Sequence, residues 1–441
     1  MPPAPSFAIK YWAHSDEKWS GPSLRTRAWV VPLLAALLLG AVLLPAPVRA
    51  HDPSAWGGIY RSRDHGATWF LANEGRFVTA ALALAIDPTD PHELLLATDS
   101  GLLHSQNGGR DWQIAGEGTM DGGAFAAAFD LDGKRALAAT ARGLFRRDVG
   151  GVWEEIAAPL GALPVRSLVS GTTAGQVFLA GWQELYRSDD WGASWSPAGD
   201  GLPDHAVATL VAVPGDRHAV MVVSNGELWA SFDGGAAWQP RGNGLPAGRV
   251  DTVVLGTGTT GSLWAGGADQ VFRSDDLGAT WHAFGAPLGE RDTTIRGIAV
   301  SPDERLTLLT TDRGLYQRGE GAASWELLVE NVPVHLEARP LVRDPHDPST
   351  IYAGFSIAPY DSLWRRAAAG GSPFGQLDWI DLGGGLAFLV LVGLGGGMML
   401  GRLGHHYGRN EQDGRVPADA RARSRNSARG EGSRAPESAR A

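Results

Sequence analysis

The stretch Ser188-Asp189-Asp190-Trp191-Gly192-Ala193-Ser194-Trp195 decides the reading of this chain, because it recurs. Complete copies stand at 62–69 (SRDHGATW) and 274–281 (SDDLGATW). The copy at 231–238 (SFDGGAAW) lacks only the hydroxyl before its Trp, and at 105–112 (SQNGGRDW) Asn107 stands where Asp is expected. Two copies are worn: 146–153 (RRDVGGVW) keeps Asp148 and Gly150, and 318–325 (RGEGAASW) keeps Ser324 and Trp325. The closing residues Trp69, Trp112, Trp153, Trp195, Trp238, Trp281 and Trp325 are 43, 41, 42, 43, 43 and 44 residues apart. That period is the length of a four-stranded β-propeller blade. The chemistry is that of a turn. The carboxylates of Asp64, Asp148, Asp190, Asp233 and Asp276 can accept N–H groups of their own loops. Gly supplies positive φ, and Trp wedges between neighbouring sheets.

Strands fall on either side of each turn. Residues 80–86 read as an inner strand, Asp87-Pro88-Thr89-Asp90-Pro91 as a turn, 94–98 and 102–105 as the next two strands, and Trp112 as the start of the outermost. Residues 298–300, 306–310, 315–317 and Trp325 repeat the scheme. The first turn has no inner strands before it, whereas 341–343 and 350–354 are inner strands with no turn after them. Joined, the two ends make one composite blade, which predicts an all-β, seven-bladed propeller and removes exposed sheet edges. Residues 363–366 (LWRR) could form an extra third strand, which leaves an eight-sheet or open variant as the alternative.

The pattern S-x-D-x-G-x-[ST]-W resembles the Asp-box, or BNR repeat, of sialidases, sortilin-type receptors and photosystem II assembly-factor propellers, over about residues 56–366. The resemblance implies that each box joins the third and fourth strands of its blade, on the face away from the working surface, and that its carboxylate is structural.

Two apolar segments bracket the repeats. Residues 28–48 follow Arg25 and Arg27 and precede Val48-Arg49-Ala50, the layout of a signal peptide at 1–50 cleaved after Ala50; an uncleaved anchor is the alternative. Cleavage would expose His51, whose amine and imidazole together suit Cu(II). Residues 382–400 carry no charge and just cross a hydrocarbon core of ~30 Å. A transmembrane helix is therefore expected at 382–401, after a linker at 367–381 and before a disordered basic tail at 402–441. Gly393, Gly397 and Gly401 form a ridge on which a second helix can pair. Arg421, Arg423 and Arg425 place the tail in the cytoplasm and the propeller, at 51–366, outside it.

Composition narrows the function. Without a single Cys the chain has no disulfides, thiolate metal sites or Cys nucleophile. Residues 51–381 hold 24 basic and 41 acidic residues, a net −17 that argues against nucleic acid. No cofactor is expected. The turns opposite the boxes and the loops between blades offer Arg76, Arg249, Arg296 and Arg339 as a cationic patch in an acidic domain, and Arg forks suit carboxylates on a partner protein. Exchanging Arg296 and Arg339 for Glu is expected to release that partner and leave folding intact. The reading is a membrane-tethered, extracytoplasmic propeller that binds or assembles a membrane or exported protein complex. The resemblance to photosystem II assembly factors, through blade count, box phasing and the D-P-x-x-P turns, supports it. The alternative is an exo-sialidase-like glycosidase. Resemblance to sialidases implies a Tyr nucleophile, for which within residues 51–366 only Tyr360 stands outside the strands and repeat positions, and an Arg-Ile-Pro segment, which the sequence lacks. A sortilin-type receptor would need ten blades and a Cys-rich module.

Overall fold

The computed structural model describes residues 57–369, except 121, 160–163, 182–183, 204–206, 215–217 and 257–260. The leader at 1–50, His51, the apolar segment at 382–401 with Gly393, Gly397 and Gly401, and the tail at 402–441 lie outside the described residues. Among the described residues no helix is long and apolar enough to cross a membrane.

The strands form seven four-stranded antiparallel sheets, the blades of a seven-bladed β-propeller. They fall into two compact units. The larger holds four consecutive blades, with inner strands Ala81–Ile86, Ala124–Phe129, Ser167–Ser170 and Val207–Val213. The smaller holds three, with inner strands Val250–Leu255, Ile295–Val300 and Glu337–Arg343. In six blades the four strands follow chain order. The seventh is the composite: Glu337–Arg343 and Ile351–Ser356 are completed by Gly58–Ser62 and Phe70–Leu71, with Gly58 opposite Phe355 and Ser62 opposite Ile351. The first and last strands of the domain thus close one sheet.

Second strands such as Leu94–Thr98 and Leu263–Gly267 are buried at every position, so they read as continuous apolar or small runs. The outermost strands are only two or three residues long and begin just after the Trp of each box, as at Gln113–Ile114. Two of them, Ser196–Pro197 and Gln239–Pro240, end in Pro, which blunts a free edge.

The box geometry explains its residues. Ser188 Oγ donates to Asp190 Oδ1 (2.8 Å) and accepts the Gly192 N–H (2.8 Å), while the Ser194 N–H and hydroxyl donate to the two oxygens of Asp190 (2.8 and 2.6 Å). The turns at Asp64 and Asp276 repeat this set. Asp233, with Ala237 in place of the hydroxyl residue, keeps only the backbone half of the last pair. In the variant box Ser105 Oγ donates to Asn107 Oδ1 (3.1 Å). The hydroxyl of Ser194 or Thr280, followed by its N–H, holds Asp190 and Asp276 down at about 2. Gly192 has φ +84°, and a Cβ there would lie 2.9 Å from Ile156 Cδ1, so the position needs Gly twice over.

The tryptophans link blades. The indole N–H of Trp238 donates to Ala198 O (2.8 Å), that of Trp281 to Arg241 O (2.8 Å) and that of Trp325 to Ala286 O (2.9 Å). Each acceptor lies just past the fourth strand of the preceding blade. Trp69 instead donates to Gly66 O of its own turn (2.9 Å). Trp112, Trp153 and Trp281 are buried like Trp69.

Residues 363–366 do not form a strand. They belong to a helix, α1, at Tyr360–Ala368, which runs past residue 366 and leaves the sheet count at seven. The signs of a helix are Asp361 in its first turn, Arg365 and Arg366 in its last, and the i, i+4 pair Tyr360 and Trp364 on one buried face.

Trp281→Phe is expected to cost about 1–2 kcal/mol, because it strands a carbonyl acceptor while keeping the ring. Trp281→Ala should cost about 3–5 kcal/mol, since it also opens a cavity. Urea unfolding of both variants checks the ordering; a Trp281→Phe variant as stable as the wild type would show that the N–H contributes nothing.

Candidate binding site on the innermost strands

The inner strands share an irregularity. In the three-blade unit the register slips between Val250 and Thr252, between Ile295 and Gly297, and between Ala338 and Leu341. The residues left over are Asp251, Arg296 and the pair Arg339-Pro340. In the four-blade unit the same slip leaves out Phe125 and Ala208. A bulge turns a side chain away from the ladder, and bulges collect next to functional sites. All of these lie near the start of an inner strand, at the edge where the second strand ends: Ala124 faces Thr140 and Val207 faces Ser224. The boxes leave from the opposite edge, where Val220 faces Ser231.

Arg296 and Arg339 are therefore strand residues, not the loop residues the sequence suggested. Their polar side chains interrupt the apolar pattern, which is why the strands seemed to begin at residues 298 and 341 rather than at Ile295 and Glu337. Arg296 Nε pairs with Glu337 Oε1 at 3.1 Å, and the Glu337 side chain is 5% exposed. Exchanging Arg296 for Glu would set two carboxylates together in a buried place, so this arginine belongs to the fold and the expectation of an intact double variant is corrected. Arg249, just before its strand, has a side chain 56% exposed and a loose 3.7 Å approach to Asp292. Arg76 sits elsewhere in the unit, after Phe70–Leu71, on a shallow pocket of about 230 Å³ with Tyr60, Leu71 and the exposed Phe77.

Carboxylates hold the backbone that leads into Arg296; of these, Asp251 and Asp312 are ones that sequence reasoning missed. The N–H groups of Asp292 and Thr293 donate to Asp269 (3.1 and 2.6 Å), that of Thr294 to Asp312 (2.9 Å) and that of Ile295 to Asp251 (3.2 Å). Four successive N–H groups are thereby pinned just before the bulge. Burial pushes Asp251 up to about 6, against the pull of the Ile295 N–H and the Arg296 guanidinium. These acids lack a motif, because strands from two blades must be brought together before they meet.

In the four-blade unit the corresponding place is covered by α1. The Tyr360 ring meets Phe125 edge-on at 6.3 Å, and its hydroxyl donates to Arg166 O (2.8 Å). Arg166, just before the strand Ser167–Ser170, pairs with Asp361 at 2.9 Å and lies over the Trp364 ring at 5.7 Å. Tyr360 is 2% exposed. A nucleophilic phenol must meet substrate, whereas this one is buried as a helix anchor.

No protein-family model matches the chain, and no curated protein matches its sequence. Among solved structures it is similar to YCF48 bound to D1 peptide (17% identity, TM-score 0.47, covering 64% of this chain and 93% of that one). It is also similar to YCF48 from Cyanidioschyzon merolae (12% identity, TM-score 0.48, 63% and 96%). A third similar structure is the GH74 xyloglucanase from Xanthomonas campestris (16% identity, TM-score 0.47), where the match covers 64% of this chain and 51% of the enzyme. At these scores the likeness adds nothing to the fold read from the strand pairing.

Asp251 gives this site a pH signature. A carboxyl with a raised folded-state pKa holds its proton more tightly when folded. It stabilises the protein fully below about pH 4, and that contribution is lost as the pH rises through about 6. Asp251→Asn should therefore raise the melting temperature above pH 7 and converge on the wild type near pH 4. A gap that is constant with pH would show that folding does not raise the pKa of Asp251.

Proposed function

We propose that this chain is an exported, membrane-tethered propeller that binds a protein partner and acts as an assembly factor for a membrane or exported complex. The observation that carries the reading is the set of inner-strand bulges in the three-blade unit. They bring Asp251, Arg296 and Arg339, with exposed Arg249 beside them, out of the ladder at the edge opposite the boxes. Arginines held among acids offer a partner fixed charges of both signs, which favours specificity and encounter rate over chemistry. The leader-like residues 1–50 and the uncharged residues 382–400 support export and a single membrane anchor, with the tail cytoplasmic. The glycosidase alternative has lost Tyr360 to the packing of α1.

Arg249 is the residue to test, because its exchange leaves the Arg296–Glu337 pair intact. Full-length protein cross-linked in its membranes and purified in detergent should retain a defined partner. Arg249→Glu should lower the recovery of that partner about tenfold, the equivalent of ~1.4 kcal/mol, with melting unchanged. Undiminished recovery, or turnover of fluorogenic sialosides by the purified protein, would count against the proposal.

A further inference from the structure

The helix α1 has two unlike faces. Tyr360 and Trp364 are buried against Phe125 and Arg166, and the Arg166–Asp361 pair ties its first turn down. Ser362, Arg365 and Arg366 are exposed on its other side. The four-blade unit is therefore held at a fixed place by the last described element of the chain. That place is the edge where the inner strands begin, which also carries the exposed Arg142 in the turn after the strand Arg135–Thr140.

Only residues 370–381 separate Ala369 from the uncharged run that starts at Leu382. Twelve residues span at most ~43 Å when fully extended. The six-residue strand Arg135–Thr140 alone is about 20 Å long, and the turn of Lys134 lies at its far end. A chain that leaves from α1 would have to double back along the height of the blade, about half of that reach, to bring the far edge to a membrane. The edge carrying α1 is reached without such a detour, and α1 places Arg365 and Arg366 there beside Arg142, three exposed guanidinium groups against the exposed Glu227.

We infer that the α1-bearing edge of the four-blade unit rests on an anionic membrane surface, with Arg365 and Arg366 toward the lipid phosphates. The inference rests on the membrane-tether reading above. Lipid phosphates complement both guanidinium groups, and a basic residue beside an anionic bilayer is attracted to it within a Debye length.

The absence of Cys makes the test direct. Ser362→Cys and Lys134→Cys, each in the full chain, are labelled with a fluorophore and reconstituted in vesicles of phosphatidylcholine with one quarter phosphatidylglycerol. A headgroup-attached quencher should quench the label at 362 several-fold more than the label at 134. That excess should fall by about twofold or more in R365Q/R366Q, and likewise in phosphatidylcholine alone. Gln is chosen because it removes charge without setting an acid at the helix end, and Trp364 is left to hold the helix. Equal or reversed quenching in chains that resist alkaline carbonate extraction would overturn the orientation alone. Release of the chain by carbonate would overturn the tether, and the orientation with it. An excess indifferent to both charge changes, or one sensitive to R365Q/R366Q only when an acidic protein co-purifies, would overturn the assignment to lipid.

Discussion

The tryptophan that ends each turn is the constraint on which this architecture depends. A four-stranded sheet with a two- or three-residue outer strand cannot cover its own faces, so each blade needs its neighbour. In the later blades the indole N–H reaches a carbonyl 39–40 residues earlier in the chain, just past the outer strand of the preceding blade. The repeat length follows from that reach. A blade shortened by a few residues would move its Trp away from both the ring's cleft and the carbonyl. The Ser, Asp and Gly of the turn then act together to deliver the indole, through hydrogen bonds closed within seven residues.

The acidity of the domain has a related origin. Asp64, Asp190, Asp233 and Asp276 accept N–H groups in the boxes. Asp87 and Asp344 do the same in the D-P-x-x-P turns, where Asp87 Oδ1 takes the Thr89 N–H (2.7 Å) and Asp344 Oδ1 that of His346 (2.8 Å). Asp251, Asp269 and Asp312 pin the segment before Arg296. Many of the acids behind the net charge are thus spent on the backbone. The charge is in part a by-product of turn chemistry, and the arginines beside the bulges stand out against it because a few of them are held by acids at defined positions.

The repeat, the blade count, the composite closing blade and the approximate strands were legible in the amino-acid order, because they rest on contacts closed within one period and on apolar runs. The starts of the inner strands were not, since Arg296, Glu337 and Arg339 break the apolar pattern and a bulge has no sequence signature. Residues 363–366 left two readings open for a similar reason: a Leu-Trp pair beside two arginines suits an exposed strand as well as a helix. Only the packing of Tyr360 and Trp364, one helical turn apart, on Phe125 and Arg166 selects the helix. The pairing of Arg296 with Glu337 and the pinning by Asp269 and Asp312 likewise join residues from different strands, and distance along the chain says nothing about them. By itself the sequence determined the blades, because their hydrogen bonds are local and periodic; the tertiary structure alone decided which charged groups meet, because burial and cross-blade distance exist only once the sheets are packed.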